Sequence, residues 1–236
     1  MNMQAQNYLR LGQQRGRANF GWLNSYHSFS FGQYYDPKHM GFSHLRVIND
    51  DTVAGGAGFP THPHRDMEII SYVLEGAIEH KDTMGNSFVV PAGEVQRMSA
   101  GTGVAHSEFN HSATDNLRFL QIWIMPDQMG IEPSYEQANI QQTSALTPLV
   151  TPDGRDGSLS LNQDAAISRL RLEPGESFEL DRGDRLGYLH MINGQLSSND
   201  LLLNQGDALG LLVDKKLQVT AQDQAVEALW FDLPSR

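Results

Sequence analysis

The sequence contains no cysteine, which excludes disulfide bonds, thiolate metal sites and cysteine nucleophiles. A metal ion would therefore have to be held by histidine, aspartate or glutamate side chains. The chain also lacks an apolar run of the roughly 18 residues that a membrane-spanning helix needs. Its first residues show no cationic start followed by an apolar core, as a signal peptide would. We therefore expect a cytoplasmic protein that does not bind membranes.

Basic residues are few and scattered. Lysine and arginine number 17 against 28 aspartates and glutamates, which gives a formal net charge of -11. Because no basic cluster could neutralise a phosphate backbone, direct binding of nucleic acid is not expected. The chain also has no P-loop, no Gly-x-Gly-x-x-Gly at a strand–helix junction and no Gly-x-Ser-x-Gly elbow, so the common nucleotide-binding and serine-hydrolase motifs are absent.

Short apolar or alternating stretches, separated by turns, run through the whole chain of 236 residues. Strands of this length with turns every 8–12 residues are typical of an all-β barrel or sandwich. Residues 72–76 resemble residues 190–194, and residues 91–94 resemble residues 204–207, in the same order. This weak repeat favours a duplicated β-barrel.

The segment between the two halves is polar, rich in glutamine and interrupted by proline and glycine. It is typical of a linker. We therefore predict an N-terminal barrel with a metal site at residues 1–130, a linker at 131–157 and a C-terminal barrel without a metal site at 158–236. The second half contains no His-x-His pair, which is why no metal is expected there.

Two histidines one residue apart, His62 and His64, precede a β-branched run at residues 69–74. Side chains repeat every two residues along a strand, so both imidazoles would point to one face, roughly 6–7 Å apart along the backbone. Two imidazoles on one face can chelate a metal ion if another part of the chain supplies further ligands.

A second pair with the same spacing, His106 and Glu108, also lies in a strand-like segment. If the two strands face each other inside a barrel, three imidazoles and one carboxylate converge. That set suits Fe(II), Mn, Co, Ni or Cu, and zinc less well, because structural zinc usually closes at four ligands. The alternative is that these residues hold a metal for stability only, or are satisfied polar core residues; four such groups are costly to bury without an ion.

The spacing resembles the cupin superfamily but departs from it at two ligands. The first cupin motif would place its glutamate at Ile69, and the neighbouring Glu68 would face the other side of the strand. The second motif, matched at residues 85–93, would place a histidine at Gln96. The second histidine–glutamate pair would replace both missing ligands, with Gln96 as a pocket residue beside them.

This departure resembles the pirin family, a cupin branch with two barrels. The resemblance is strong over residues 15–157 and weak beyond them, and it is carried by residues 29–37, 41–47, 62–64, 85 and 99–108. It implies two tandem cupin-type β-barrels. It also implies one metal ion, usually iron, on His62, His64, His106 and Glu108.

Two functions follow from the resemblance. Bacterial pirin-like proteins are associated with quercetin 2,3-dioxygenase activity, so the first hypothesis is an enzyme that opens a flavonol ring with dioxygen and releases carbon monoxide. Fe(II) is the expected metal, with Mn, Co, Ni, Cu and Zn as alternatives; it would act as a Lewis acid on the 3-hydroxyl, with Glu108 as the general base. The animal pirin is described as an iron-dependent transcriptional co-regulator, so the second hypothesis is a metal-binding protein that docks on a protein partner.

Aromatic side chains near the predicted site are candidates for lining a substrate pocket, although an ordinary core role is the simpler interpretation of each. They are Phe59, Tyr72, Phe109 and Trp123.

Overall fold

The computed structural model of the protein describes residues 6–199 and 201–235. These residues form two short 3-10 helices, Gly12–Gln14 and Arg155–Gly157, and 22 strands. In chain order the strands are β1 (Tyr8–Arg10), β2 (Gly16–Asn19), β3 (Leu23–His27), β4 (Leu45–Val53), β5 (Gly58–His64), β6 (Glu68–Glu75), β7 (Ala77–Asp82), β8 (Ser87–Pro91), β9 (Val95–Ser99), β10 (Val104–Asn110), β11 (Leu117–Ile124), β12 (Ser134–Ala138), β13 (Leu146–Thr151), β14 (Leu159–Ser160), β15 (Ala166–Leu172), β16 (Ser177–Asp181), β17 (Leu186–Asn193), β18 (Leu196–Ser198), β19 (Leu201–Leu203), β20 (Ala208–Leu211), β21 (Lys216–Ala221) and β22 (Val226–Leu233). The predicted all-β class is confirmed. Within the described ranges, no helix is long and apolar enough to span a membrane.

The chain forms two compact units. The first, called the N unit, comprises residues 16–140 and 152–164. It contains a seven-stranded sheet in the order β12-β9-β6-β11-β4-β3-β2 and a four-stranded sheet in the order β5-β10-β7-β8. Val73 and Phe119 of the larger sheet pack in one cluster with Ile78 and Val90 of the smaller sheet. The core of the N unit therefore lies between the inner faces of its two sheets.

The second unit, called the C unit, comprises residues up to 15, residues 141–151 and residues from 165 onward. It repeats the plan of the N unit. One sheet has the order β1-β20-β17-β22-β15-β13, and a four-stranded sheet has the order β16-β21-β18-β19. Leu189 and Trp230 of the first sheet pack in one cluster with Leu217 and Val219 of the second. This repetition is the structural counterpart of the weak sequence repeat.

The composition of the two units differs from the continuous segments predicted from the sequence. Tyr8 in β1 pairs with Gly210 in β20, so the first described residues belong to the C unit. Residues 152–164 belong to the N unit. The predicted linker, residues 131–157, contains β12 and β13. Every residue of β12 is half-buried, so this strand lacks the apolar–polar alternation by which strands are found in a sequence.

The aromatic segment near the N-terminus also differs from its prediction. Alternation with a period of two over residues 27–31 predicts a strand there, whereas the structure places β3 at Leu23–His27. The Ser30 hydroxyl donates to the Asp36 carbonyl and accepts from the Asp36 amide, both at 2.9 Å. These side-chain bonds fold residues 30–36 into a loop, which competes with a continuing strand.

Candidate metal centre

Three of the predicted ligands converge where β5 and β10 lie side by side. These strands are antiparallel, with His106 opposite His62 and Val104 opposite His64. The ring centroids are 4.5 Å apart for His62 and His106, 4.9 Å for His64 and His106, and 4.8 Å for His62 and His64. His106 is buried, and the other two rings are half-buried. The two-residue spacing thus places the His62 and His64 rings side by side, both close to the His106 ring.

Glu108 lies on the same face of β10 and is buried. Its Oε1 accepts hydrogen bonds from the Ser71 hydroxyl at 3.0 Å and the Gln96 amide at 2.7 Å, and its Oε2 accepts from the Gln121 amide at 2.8 Å. These three donors come from the larger sheet, so the carboxylate reaches across the interior of the N unit. Three neutral donors hold it in one orientation.

The potential ligand atoms form two overlapping groups. His62, His64 and His106 form one group, in which one ligand atom of each lies within 4.8 Å of the others. The second group, within the same limit, is His80, His106 and Glu108. The structure therefore links the four predicted residues through His106, and it adds a fifth residue that the sequence analysis missed.

The protonation of the histidines fits a metal ion. Burial lowers the pKa of His106 to about 3, with a further contribution from His62. Burial likewise lowers the pKa of His64 to about 4, with a contribution from His106. Both rings are therefore neutral at pH 7 and carry a lone pair, as metal binding requires.

The hydrogen bonds of the rings point the same way. His62 Nδ1 lies 2.8 Å from the Pro60 carbonyl oxygen, which can only accept, so Nδ1 donates and Nε2 keeps its lone pair. Both ring nitrogens of His106 are buried without a hydrogen-bond partner among the described residues. Buried polar atoms are rarely left in this state, and a metal ion would satisfy one of them.

Two residues that the cupin motifs singled out have clear places. Glu68 is buried and accepts from the Ser99 hydroxyl at 2.9 Å. It lies three residues before Ser71, so the pleat of β6 turns it away from Glu108. Gln96, at the position where a cupin has a histidine, donates to Glu108, as a pocket residue would.

The donors around the carboxylate belong to a polar row across the inner face of the larger sheet. In this row, each residue pairs with the next on the neighbouring strand: His27, Asn49, Gln121, Ser71 and Gln96. His27 Nδ1 lies 2.7 Å from Asn49 Oδ1. One end of the row therefore holds the carboxylate and the other end continues toward β3.

That other end opens into a cavity of about 720 Å³. His27 and Asn49 line it together with aromatic side chains that include Trp22, Phe31 and Phe59. The rings of Trp22 and Phe59 meet edge to face, with centroids 5.2 Å apart. A volume of this size and an aromatic lining with a few polar groups are typical of small-molecule pockets.

The four aromatic candidates from the sequence have different places. Phe59 lines the cavity, and Trp123 packs edge-on against His64 with ring centroids 5.1 Å apart. Tyr72 is a core residue, and Phe109 is 37% exposed. Only the first two are placed to influence a ligand near the histidines.

Asp51, which also lines the cavity, has a carboxyl group with a raised pKa. Burial raises the pKa of its carboxyl group to about 7, with Asp50 and Glu108 adding to the rise and a hydrogen bond with Ser25 opposing it. Its Oδ1 is buried without a hydrogen-bond partner among the residues described. Near neutral pH this carboxyl group is therefore partly protonated.

Replacing Asp51 with asparagine is expected to flatten the pH dependence of stability. The folded-state pKa of about 7 exceeds the ordinary value of 3.8, so the folded protein binds more protons between these limits and loses stability as the pH rises through them. The wild type should lose on the order of 2 kcal/mol more than Asp51→Asn between pH 5 and pH 8. Urea unfolding at both pH values measures this, with exposed Asp153→Asn as the control; parallel profiles for Asp51→Asn and the wild type would contradict it.

Comparison with known proteins places the chain in a family. Residues 9–124 match the family model named Pirin, and residues 148–233 match a model described as the quercetinase C-terminal cupin domain. A quercetin 2,3-dioxygenase of Escherichia coli is 48% identical over 228 residues, which cover 96% of this chain and 98% of that protein. The predicted pair of cupin-type barrels is confirmed by these matches.

Solved structures of bacterial pirins resemble this chain over nearly its whole length. The crystal structure of YhhW from Escherichia coli has a TM-score of 0.94 and 46% identity, covering 97% of this chain and 98% of that one. Bacterial pirin YhhW in complex with nickel(II) has a TM-score of 0.92 and 46% identity, covering 97% and 99%. The chain is 46–48% identical to these proteins over almost its whole length, and it matches the family models. We conclude that the chain belongs to the pirin family.

Proposed function

We propose that this protein is a metal-dependent dioxygenase that opens the ring of a flavonol such as quercetin with dioxygen and releases carbon monoxide. The observation that carries the proposal is that His106 lies in one group of potential ligand atoms with His62 and His64 and in a second group with Glu108. It is supported by 48% identity to a quercetin 2,3-dioxygenase of Escherichia coli. The small substrate and dioxygen would be the partners of this site.

The proposed protein ligands are His62, His64, His106 and Glu108. Fe(II) is the proposed metal, and Mn, Co, Ni, Cu and Zn are the alternatives, of which nickel is bound by a related bacterial pirin. When bound, the ion would supply Lewis-acid polarisation of the substrate hydroxyl and a redox-active centre for dioxygen.

Glu108 is the proposed general base toward the 3-hydroxyl of the substrate. A carboxylate offers about four lone-pair positions, and hydrogen bonds from Ser71, Gln96 and Gln121 occupy three of them. One position remains for the ion. Holding the substrate proton as well therefore requires one of the three donors, Ser71, Gln96 or Gln121, to give up its bond.

The aromatic-lined cavity supports the proposed substrate class. Phe31, Tyr34 and Phe59 offer ring faces and edges to a flat aromatic ligand. Asn49 and Asp51 offer polar atoms to its hydroxyl groups. The polar row runs from the cavity to the carboxylate, since Asn49 is paired with Gln121, which donates to Glu108.

The test is oxygen uptake and carbon monoxide release with quercetin. Metal content is first measured on the purified protein, which is then stripped with a chelator and reloaded with each metal in turn. We expect turnover with at least one metal, and none with the matching flavone that lacks the 3-hydroxyl, because the base then has no proton to accept. Absence of oxygen uptake with every metal would overturn the enzyme proposal and favour the metal-binding regulatory alternative.

A further inference from the structure

We propose that His80 provides a second, inner position for the ion, formed by His80, His106 and Glu108. The centre would then contain two overlapping donor groups that share His106. The outer group is His62, His64 and His106. This inference rests on the proposed metal centre, and its test is separable from the test of catalysis.

His80 lies beside the proposed ligands in the smaller sheet of the N unit. On the paired strands β7 and β10, His80 is opposite Glu108 and Asp82 is opposite His106. Directly opposed side chains of antiparallel strands share a face. The rings of His80 and His106 are 5.4 Å apart, and one ligand atom of each residue in the inner group lies within 4.8 Å of the others.

A hydrogen bond to Asp82 fixes the orientation of the His80 ring and leaves its other nitrogen, Nδ1, without a partner among the described residues. Its Nε2 lies 3.0 Å from Asp82 Oδ2. That carboxylate also accepts from the backbone amides of Met84 and Asn86 and from the Asn86 side chain. As an acceptor it makes Nε2 the donor, so Nδ1 of His80 carries the lone pair.

That Nδ1 atom is buried and has no hydrogen-bond partner among the residues that the structure describes. The side chains of His80 and Asp82 are both fully buried, and Tyr135 packs on the His80 ring at a tilt of 31°, with centroids 4.5 Å apart. A histidine held by a carboxylate on one nitrogen, with the other nitrogen free in a cluster of donors, has the arrangement of a metal ligand.

His106 and Glu108, the other two residues of the inner group, can each offer a lone pair to an ion. Both nitrogens of His106 are buried and unpartnered in the described structure, so no hydrogen bond competes with an ion for its lone pair. Glu108 retains one lone-pair position after its three hydrogen bonds. His80, His106 and Glu108 are all buried, whereas His62 and His64 are half-buried, so the inner position lies deeper in the unit.

The test removes the outer donors and asks whether binding survives. The His62→Ala/His64→Ala double variant, stripped of metal, is titrated with nickel(II) by calorimetry. We expect it to bind one ion, at least about tenfold more weakly than the wild type, because two imidazoles are lost. Adding His80→Ala to this double variant should raise the dissociation constant for nickel(II) at least about tenfold further.

The control is His111→Ala in the same double variant, which removes an exposed imidazole and should leave the affinity unchanged. His80→Gln provides a second variant, because its amide can still donate to Asp82 while it lacks the imidazole lone pair. A double variant that binds no nickel, or whose binding is unaffected by both substitutions of His80, overturns the inference. A wild type that binds no metal would instead overturn the proposed metal centre itself.

Discussion

Replacing His106 with alanine is expected to remove both metal retention and turnover. His106 is the residue that the two donor groups have in common, so its loss breaks both groups at once. Outer-shell partners alone are worth 10–100-fold in metal affinity or activity, and we therefore expect a loss of more than about 100-fold in both. Elemental analysis after gel filtration and oxygen uptake with quercetin measure the two effects.

A second measurement separates this loss from unfolding. Both nitrogens of His106 are buried without a hydrogen-bond partner among the residues that the structure describes, so alanine breaks no hydrogen bond to them. The melting temperature of the metal-free variant should stay close to that of the metal-free wild type. Added metal should raise only the wild-type value, since a ligand stabilises the state that binds it. Near-stoichiometric metal in His106→Ala would show that the ligand assignment is wrong.

Of the variants proposed, Arg97→Ala is expected to lower the free energy of unfolding the most. Arg97 is 1% exposed and donates to the Ser160 carbonyl at 2.8 Å and to the Ser134 and Ser99 hydroxyls at 2.6 and 2.9 Å. It also forms an ion pair with Glu136 at 2.6 Å. Breaking a fully buried pair typically costs about 3–5 kcal/mol; because the Glu136 side chain is 39% exposed, we expect a loss at the lower end of that range.

Arg97 is also one of the residues that hold residues 152–164 in the N unit, through its bonds to Ser160. Urea unfolding of the metal-free protein measures the expected loss. The matched control is Arg155→Ala, which breaks an exposed ion pair with Asp153 and should cost less than about 1 kcal/mol. Equal and small losses for the two variants would show that the buried network contributes little.

Much of the candidate centre could be predicted because it depends on local geometry. The pairs His62/His64 and His106/Glu108 each place two side chains on one strand face, and a period of two residues is a property of every strand. The same rule explains why Glu68, one residue out of step, turns to the other side of β6. His80 and Asp82 form a third pair with this spacing, and that signal could have drawn attention to His80.

Composition and the spacing of near neighbours were enough to predict the all-β class, the absence of thiolate chemistry and the two pairs of potential ligands. Three features became visible only in the folded chain: Glu108 accepts from three donors of the opposite sheet, His80 lies beside it, and residues 152–164 belong to the N unit. These features depend on pairing between residues far apart in the chain. Strand register and sheet packing bring such residues together, and neither can be deduced from local pattern alone.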